Sequence, residues 1–240
     1  VTGFDARDPA SVHQETAAYT ARLDANVKQL KIGILRRFLE GVNHEVAQAF
    51  ETAVKVFADA GCEIVDLDVP EVSYAAMTSM MTSSAESAGI NRRWFRERHQ
   101  DFVPHVSRGI AVGMTITASE YLTVQRARHR IREALRTAYE RVDIIASPTT
   151  ARAAPLISAG VKGNGDDTRH ASYNHSNLLR FPSMLGLPGC SIPCGINSHG
   201  MPIGLQLIGG WFADQIVLNA AFAFQSATDW HTRRPPIASI

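Results

Sequence analysis

Lys31 to Leu35 (KIGIL), Asn43 to Gly61 (NHEVAQAFETAVKVFADAG) and Glu63 to Val69 (EIVDLDV) decide the fold. The first is a short apolar run bounded by charge, the pattern of a buried strand. In the second, Val46, Ala49, Phe50, Ala53, Val54, Phe57 and Ala60 recur at helical spacing behind Asn43, a good N-cap. Gly61 follows and can take the left-handed conformation that ends helices. The third alternates apolar and acidic residues as a half-buried strand would, until Pro70 closes it. Strand, helix, strand predicts an α/β sheet.

Downstream, Ser73 to Gly89 and Arg92 to His99 are expected to be helical. Thr117 and Glu120 form a capping-box pattern, in which hydroxyl and carboxylate satisfy backbone N–H groups reciprocally. Val124, Ala127, Ile131, Ala134, Leu135 and Ala138 then make one apolar stripe, with Arg126, Arg128, Arg130, Arg132 and Arg136 on the other face. Glu133 and Glu140 interleave with these arginines and no stacking aromatics accompany them, so a solvated or interdomain face is expected rather than a nucleic-acid surface. Val142 to Ala146 (VDIIA) reads as a strand ending in Ser147, Pro148, Thr149 and Thr150, and Gly160 to Asp167 as a loop that fits no phosphate-binding pattern. Leu185 to Gly195 leads into a strand, Asn197 to Gly200 (NSHG) is a turn composition, Met201 to Gly209 is a second strand, and Ala213 to Ser226 has helical period. The strands around Ile32 to Leu35, Val142 to Ala146 and Leu205 to Ile208 are apolar enough to need cover on both faces.

Composition narrows the function classes. With 45% hydrophobic and 20% charged residues and a net charge of +1, no whole-molecule field favours nucleic acid or an anionic membrane. No apolar run reaches the roughly 18 residues of a membrane span. Three cysteines, Cys62, Cys190 and Cys194, favour packed thiols in a reducing compartment, hence a cytoplasmic protein. Val1 to Ala10 carry neither an initiator Met nor an apolar signal core, and a fragment or processed chain is expected.

No complete catalytic site emerges from the residues. Gly189-Cys190-Ser191-Ile192-Pro193 is the nearest approach to a G-x-S-x-G elbow, and it ends in Pro. No Ser stands three residues before Lys28, Lys31, Lys55 or Lys162, so Ser191 reads as a strand residue bonded to backbone. The nine histidines form no metal-binding spacing; His170 and His175 are five apart, and His99 and His105 flank a turn. Asp66 and Asp68 share one face of a strand, which suits acid–base work or, more simply, a solvated edge.

Several stretches resemble the amidase-signature family. Gly3 to Pro9 (GFDARDP) is similar to the segment that follows its signature region, Leu30 to Leu35 to the next strand, and Asp143 to Thr149 (DIIASPT) to its D-x-L-L-x-P-T. The most specific match is Gly186-Leu187-Pro188, Ser191 to Gly195 (SIPCG) and Gly200 to Gly209 (GMPIGLQLIG). Phe212 through Arg233-Arg234-Pro235-Pro236 resembles the family's ending. The resemblance implies an α/β amidase-signature fold, a large mixed β-sheet flanked by helices on both faces, with residues 1–240 as the C-terminal part of a single domain. It implies hydrolysis of a carboxamide C–N bond through an acyl-enzyme, by a serine, a second serine on a cis peptide, and a lysine. The G-G-S-S-G-G type of stretch carrying those serines is absent, since Ser83 and Ser84 lack flanking glycines. The triad is therefore expected upstream, no catalytic residue is carried over, and the chain alone should be inactive. No cofactor or metal is implied. The implied partners are a small-molecule amide, the missing N-terminal half and, in a homo-oligomer, a second copy. Arg108 stands where some members hold a substrate carboxylate, and Ser183 replaces an Asn common before the Gly-Leu-Pro. A protein like the A subunit of glutamyl-tRNA amidotransferase and a non-catalytic binding module are the alternatives.

Overall fold

Lys31 and Asp143 clasp each other at the start of two parallel strands. The Lys31 N–H donates to Asp143 Oδ2 at 2.8 Å, and the Asp143 N–H donates to the Lys31 carbonyl at 2.9 Å. In the computed structural model, which describes residues 3–154 and 178–234, this pair starts the register of a five-stranded mixed sheet. Its strands are β1 (Lys31–Ile34), β2 (Glu63–Asp66), β3 (Ile144–Pro148), β4 (Gly189–Ile196) and β5 (Pro202–Gly209), in the order β2-β1-β3-β5-β4. β1 runs parallel to both β2 and β3, while β5 runs antiparallel to β3 and β4. The predicted α/β fold with a mixed sheet and flanking helices is the one the chain adopts.

Local chemistry explains the elements. α1 (His44–Asp59) begins where Asn43 Oδ1 accepts the Glu45 N–H at 3.0 Å, and it is followed by Gly61 at φ 94°. β2 is shorter than the alternating pattern suggested. After the Leu67 N–H reaches the Ile34 carbonyl, the chain turns into a 3-10 helix at Pro70–Tyr74. Asp66 and Asp68 pair with Arg36 and Arg37 at 2.8 and 2.9 Å, so the two carboxylates act as surface ion-pair partners. The two helical stretches expected after Ser73 are one helix, α2 (Ala75–Glu97), because Gly89 to Asn91 contains no breaker strong enough to stop it. α3 (Pro104–Thr115) has proline in its first turn, where a missing N–H costs nothing. α4 (Ala118–Ala138) carries the full capping box and buries Val124, Ile131, Leu135 and Ala138. Residues 178–185 are helical, named α5, and precede β4, and α6 (Asp214–Ala227) closes the core.

The sheet is covered on both faces from within the chain. Ile32, Ile34, Ile144, Leu205 and Leu207 pack with residues of α1 and α6. Leu35, Ile145 and Ile208 pack with Ile131 and Leu135 of α4 and with Leu178 and Phe181 of α5. The cover that these apolar strands were expected to need is supplied within the chain at their centre, where Ile32, Ile144, Ile145, Leu205 and Ile208 are all 0% exposed. The loop predicted at Gly160 to Asp167, together with Lys162, His170, His175, Pro235 and Pro236, lies outside the described residues. Among the described residues, no helix is long and apolar enough to cross a membrane.

Candidate functional site

A row of polar side chains crosses three strands in the middle of this apolar sheet. Ser147 of β3 stands opposite Gln206 of β5, and Gln206 stands opposite Ser191 of β4. Side chains in register share a face, so all three belong to the α4/α5 side with Ile145 and Ile208. Thr149 lies just past the end of β3, where its N–H donates to the Gly204 carbonyl at 2.8 Å. Its hydroxyl meets Ser191 Oγ at 2.6 Å across Gly204. That bond depends on Gly204 having no side chain, since a Cβ there would lie 2.6 Å from Thr149 Oγ1 and 3.1 Å from Ser191 Oγ. Gln206 is buried and donates Nε2–H to the Leu178 carbonyl at 2.8 Å, tying α5 to the sheet. Ser147 is 1% exposed, and its hydroxyl has no hydrogen-bond partner among the described residues.

Among the described residues this arrangement lacks the parts for nucleophilic catalysis. Ser191, read from sequence as bonded to backbone, is bonded instead to another hydroxyl, because Gly204 opens the space between them. Among the described residues no histidine, lysine or carboxylate hydrogen-bonds to Ser191, so nothing takes its proton. The thiols are no better activated. Burial pushes Cys190 and Cys62 up and raises Cys194 to about 12, which keeps all three protonated at neutral pH. Cys62 sits under the Val27 carbonyl at 3.3 Å, as a packed thiol does. No three His, Cys, Asp or Glu among the described residues are placed to hold a metal.

Arg108 lies apart from this row. It is exposed on α3, which packs on α2, and it makes no ion pair or side-chain hydrogen bond among the described residues. The arginines of α4 differ from one another. Arg136 pairs with Glu133 and Glu140, both at 3.1 Å, and the Arg132 guanidinium sits 4.8 Å from the Trp211 ring centre. His99 falls in a short 3-10 turn and His105 on the exposed first turn of α3. Gln206 is the functional candidate that sequence reading passed over, and its signal was a lone amide inside the apolar run LQLI.

The family described as Amidase matches residues 1–218. The chain belongs to the amidase family. Its relatives include the A subunit of glutamyl-tRNA(Gln) amidotransferase from Synechococcus sp. (strain JA-3-3Ab), 32% identical over 99% of this chain and 50% of that protein. Among solved structures, the Thermotoga maritima protein of the same name superposes with a TM-score of 0.75 at 22% identity, over 95% of this chain and 48% of the other. A bacterial aryl acylamidase of the amidase signature family gives 0.74 at 23%, over 96% and 50%. The chain spans about half the length of the curated relatives it matches. The polar row of this amidase-family chain thus falls inside three of the stretches that resemble the family, Asp143 to Thr149, Ser191 to Gly195 and Gly200 to Gly209.

Proposed function

We propose that this chain is the substrate-side half of a serine amidase, which hydrolyses a carboxamide C–N bond through an acyl-enzyme. The serine, cis-peptide serine and lysine of that chemistry belong to a segment outside these residues. The observation that carries this reading is the Thr149–Ser191 pair. The best-placed serine of a hydrolase-family chain has a hydroxyl for its partner and, among the described residues, no base. None of the four lysines precedes a Gly-Ser-rich stretch. On this reading the chain's own residues bind and orient the substrate, with Arg108 offering a guanidinium to an acidic one.

The test is an assay of the purified chain, alone and mixed with the amino-terminal half of the Synechococcus relative, against aryl and aliphatic amides. The chain alone should give no turnover and the mixture should. Activity of the chain alone that disappears in Ser191→Ala would put the nucleophile at Ser191 and overturn the proposal. The names of the relatives favour a second reading, the A subunit of an amidotransferase. It predicts transfer of the amide nitrogen to glutamyl-tRNA(Gln) by the reassembled protein once its partner subunits are added, with little release of free ammonia.

A further inference from the structure

β1 and β3 lie side by side and parallel, and the chain leaves their carboxyl ends in opposite directions. From β1 it passes into α1 on one face of the sheet and on to β2. After β3 the next described elements are α5, on the other face, and β4, beyond β5 at the far edge. In open α/β sheets such a switch point leaves a crevice outside the strand ends, and ligands bind there. Thr149, the first residue past β3, stands at this end of the sheet with its hydroxyl 2.6 Å from Ser191 Oγ.

The hydrogen bonds of this pair can be counted. A hydroxyl carries one donor and two acceptor lone pairs. One of the two O–H groups is spent between Thr149 and Ser191, whichever of them donates, and the other is free. No further side-chain or backbone group among the described residues bonds to either oxygen; Ser191 is exposed and Thr149 half-buried. The pair therefore presents one donor and several lone pairs on adjacent atoms, without charge. A neutral carboxamide, whose C=O accepts and whose NH2 donates, satisfies both. A carboxylate only accepts, so it would meet one donor and a surplus of lone pairs. An ammonium group would find no carboxylate bonded to the pair to balance it. Nor does the pair suit the bond being cleaved, since a lone donor falls short of an oxyanion hole and no base among the described residues adjoins it.

We propose that the Thr149–Ser191 pair is a specificity determinant, holding a second, neutral carboxamide that the substrate carries away from its scissile bond. The inference rests on the amidase reading above, and it adds a substrate class, amides that bear a further carboxamide. Gly204 is part of the device, because a Cβ there would fill the gap across which the hydroxyls meet. Arg108 lies apart on α3, so recognition of a neutral group and of an acidic one are separable.

The experiment uses this chain mixed with the amino-terminal half of the Synechococcus relative. The kcat/KM is measured for succinamide, for butyramide, which has a methyl group in place of the second carboxamide, and for succinamate, which has a carboxylate there. Thr149→Val and Ser191→Ala should each lower kcat/KM for succinamide about three- to tenfold, the range of a neutral hydrogen bond, and leave the other two substrates within about twofold. Thr149→Ser keeps the hydroxyl and should keep the preference, with circular dichroism confirming that each variant is folded. Independently of turnover, NMR of the chain alone should show the Thr149, Ser191 and Gly204 amides shifting on titration with acetamide and not with acetate, and Thr149→Val should abolish the shift. Equal losses on all three substrates, or an unaltered preference in both folded variants, overturns the contact while leaving the amidase reading in place. Acetamide shifts without turnover in the mixture leave the carboxamide contact standing and sink the amidase reading. The absence of both overturns both.

Discussion

Gly113 of α3 lies against the backbone of Ser84 in α2, so close that a Cβ at Gly113 would overlap the Ser84 carbonyl and come within 2.8 Å of the Ala88 Cβ. The two helices cross with main chain nearly touching main chain. Gly113→Ala should force them apart and destabilise the protein by about 1–3 kcal/mol, as overpacking a tight contact does. A urea titration of parent and variant measures it; an unchanged midpoint would mean that α3 moves freely on α2.

Arg108 is exposed on that same α3, so displacing the helix and removing the guanidinium are separate perturbations. A charge-assisted hydrogen bond contributes about 1.5–3 kcal/mol. In the reassembled enzyme, Arg108→Ala should lower kcat/KM for acidic amides roughly ten- to a hundredfold by the same figure. Neutral amides should be almost unaffected, and equal losses on both would assign Arg108 a structural role.

Gly204→Ala should break the hydroxyl pair between Thr149 and Ser191, since the new methyl group takes their space. The expected loss is about 1–3 kcal/mol. Combined with Ser191→Ala, the cost should fall short of the sum, because both changes remove the same bond. Strict additivity in a thermal-melt cycle would show that the pair contributes nothing.

Ser147 gives the opposite sign. Its hydroxyl is buried without a partner among the described residues, and such a group loses hydration for no return. Ser147→Ala should leave stability unchanged or raise it by up to about 1 kcal/mol. A clear loss would reveal a partner for Ser147 Oγ.

The capping box supplies a pH test. The Thr117 N–H, and then its hydroxyl, hold the Glu120 carboxyl below its ordinary value of 4.5. A depressed acid contributes stability that is fully present above its unfolded value and is lost as pH falls through the folded one. Parent protein should therefore lose stability relative to Glu120→Gln as pH drops below 4.5. Parallel pH profiles for the two would remove Glu120 from the account.

Much of the fold was legible because its signals are local. Asn43, Gly61 and the Thr117–Glu120 box each act within one helical turn, and the turn at Asn197 to Gly200 closes a hairpin of neighbouring residues. What stayed hidden depends on partners far along the chain. Glu63 to Val69 alternates throughout, yet pairing stops at Asp66 because β1 has no further residues to offer. The polar row was legible only in pieces. Ser147, Gln206 and Ser191 are separated in sequence and become neighbours through register alone.

The segment before β1 is tied to the far end of the chain. Gln215 of α6 donates to the carbonyls of Tyr19 and Arg22, and the Asp24 N–H donates to Asn219 Oδ1, contacts separated by more than 190 residues. The Lys31–Asp143 clasp between them is likewise non-local, joining residues 112 apart in sequence. Loops of that length close late and fold slowly. On the ribosome, β1 has to wait for Asp143, and residues 19–24 have to wait for α6. Residues 19–24 are thus made well before α6 and secured only after it, and during that interval they stay open to chaperones and proteases.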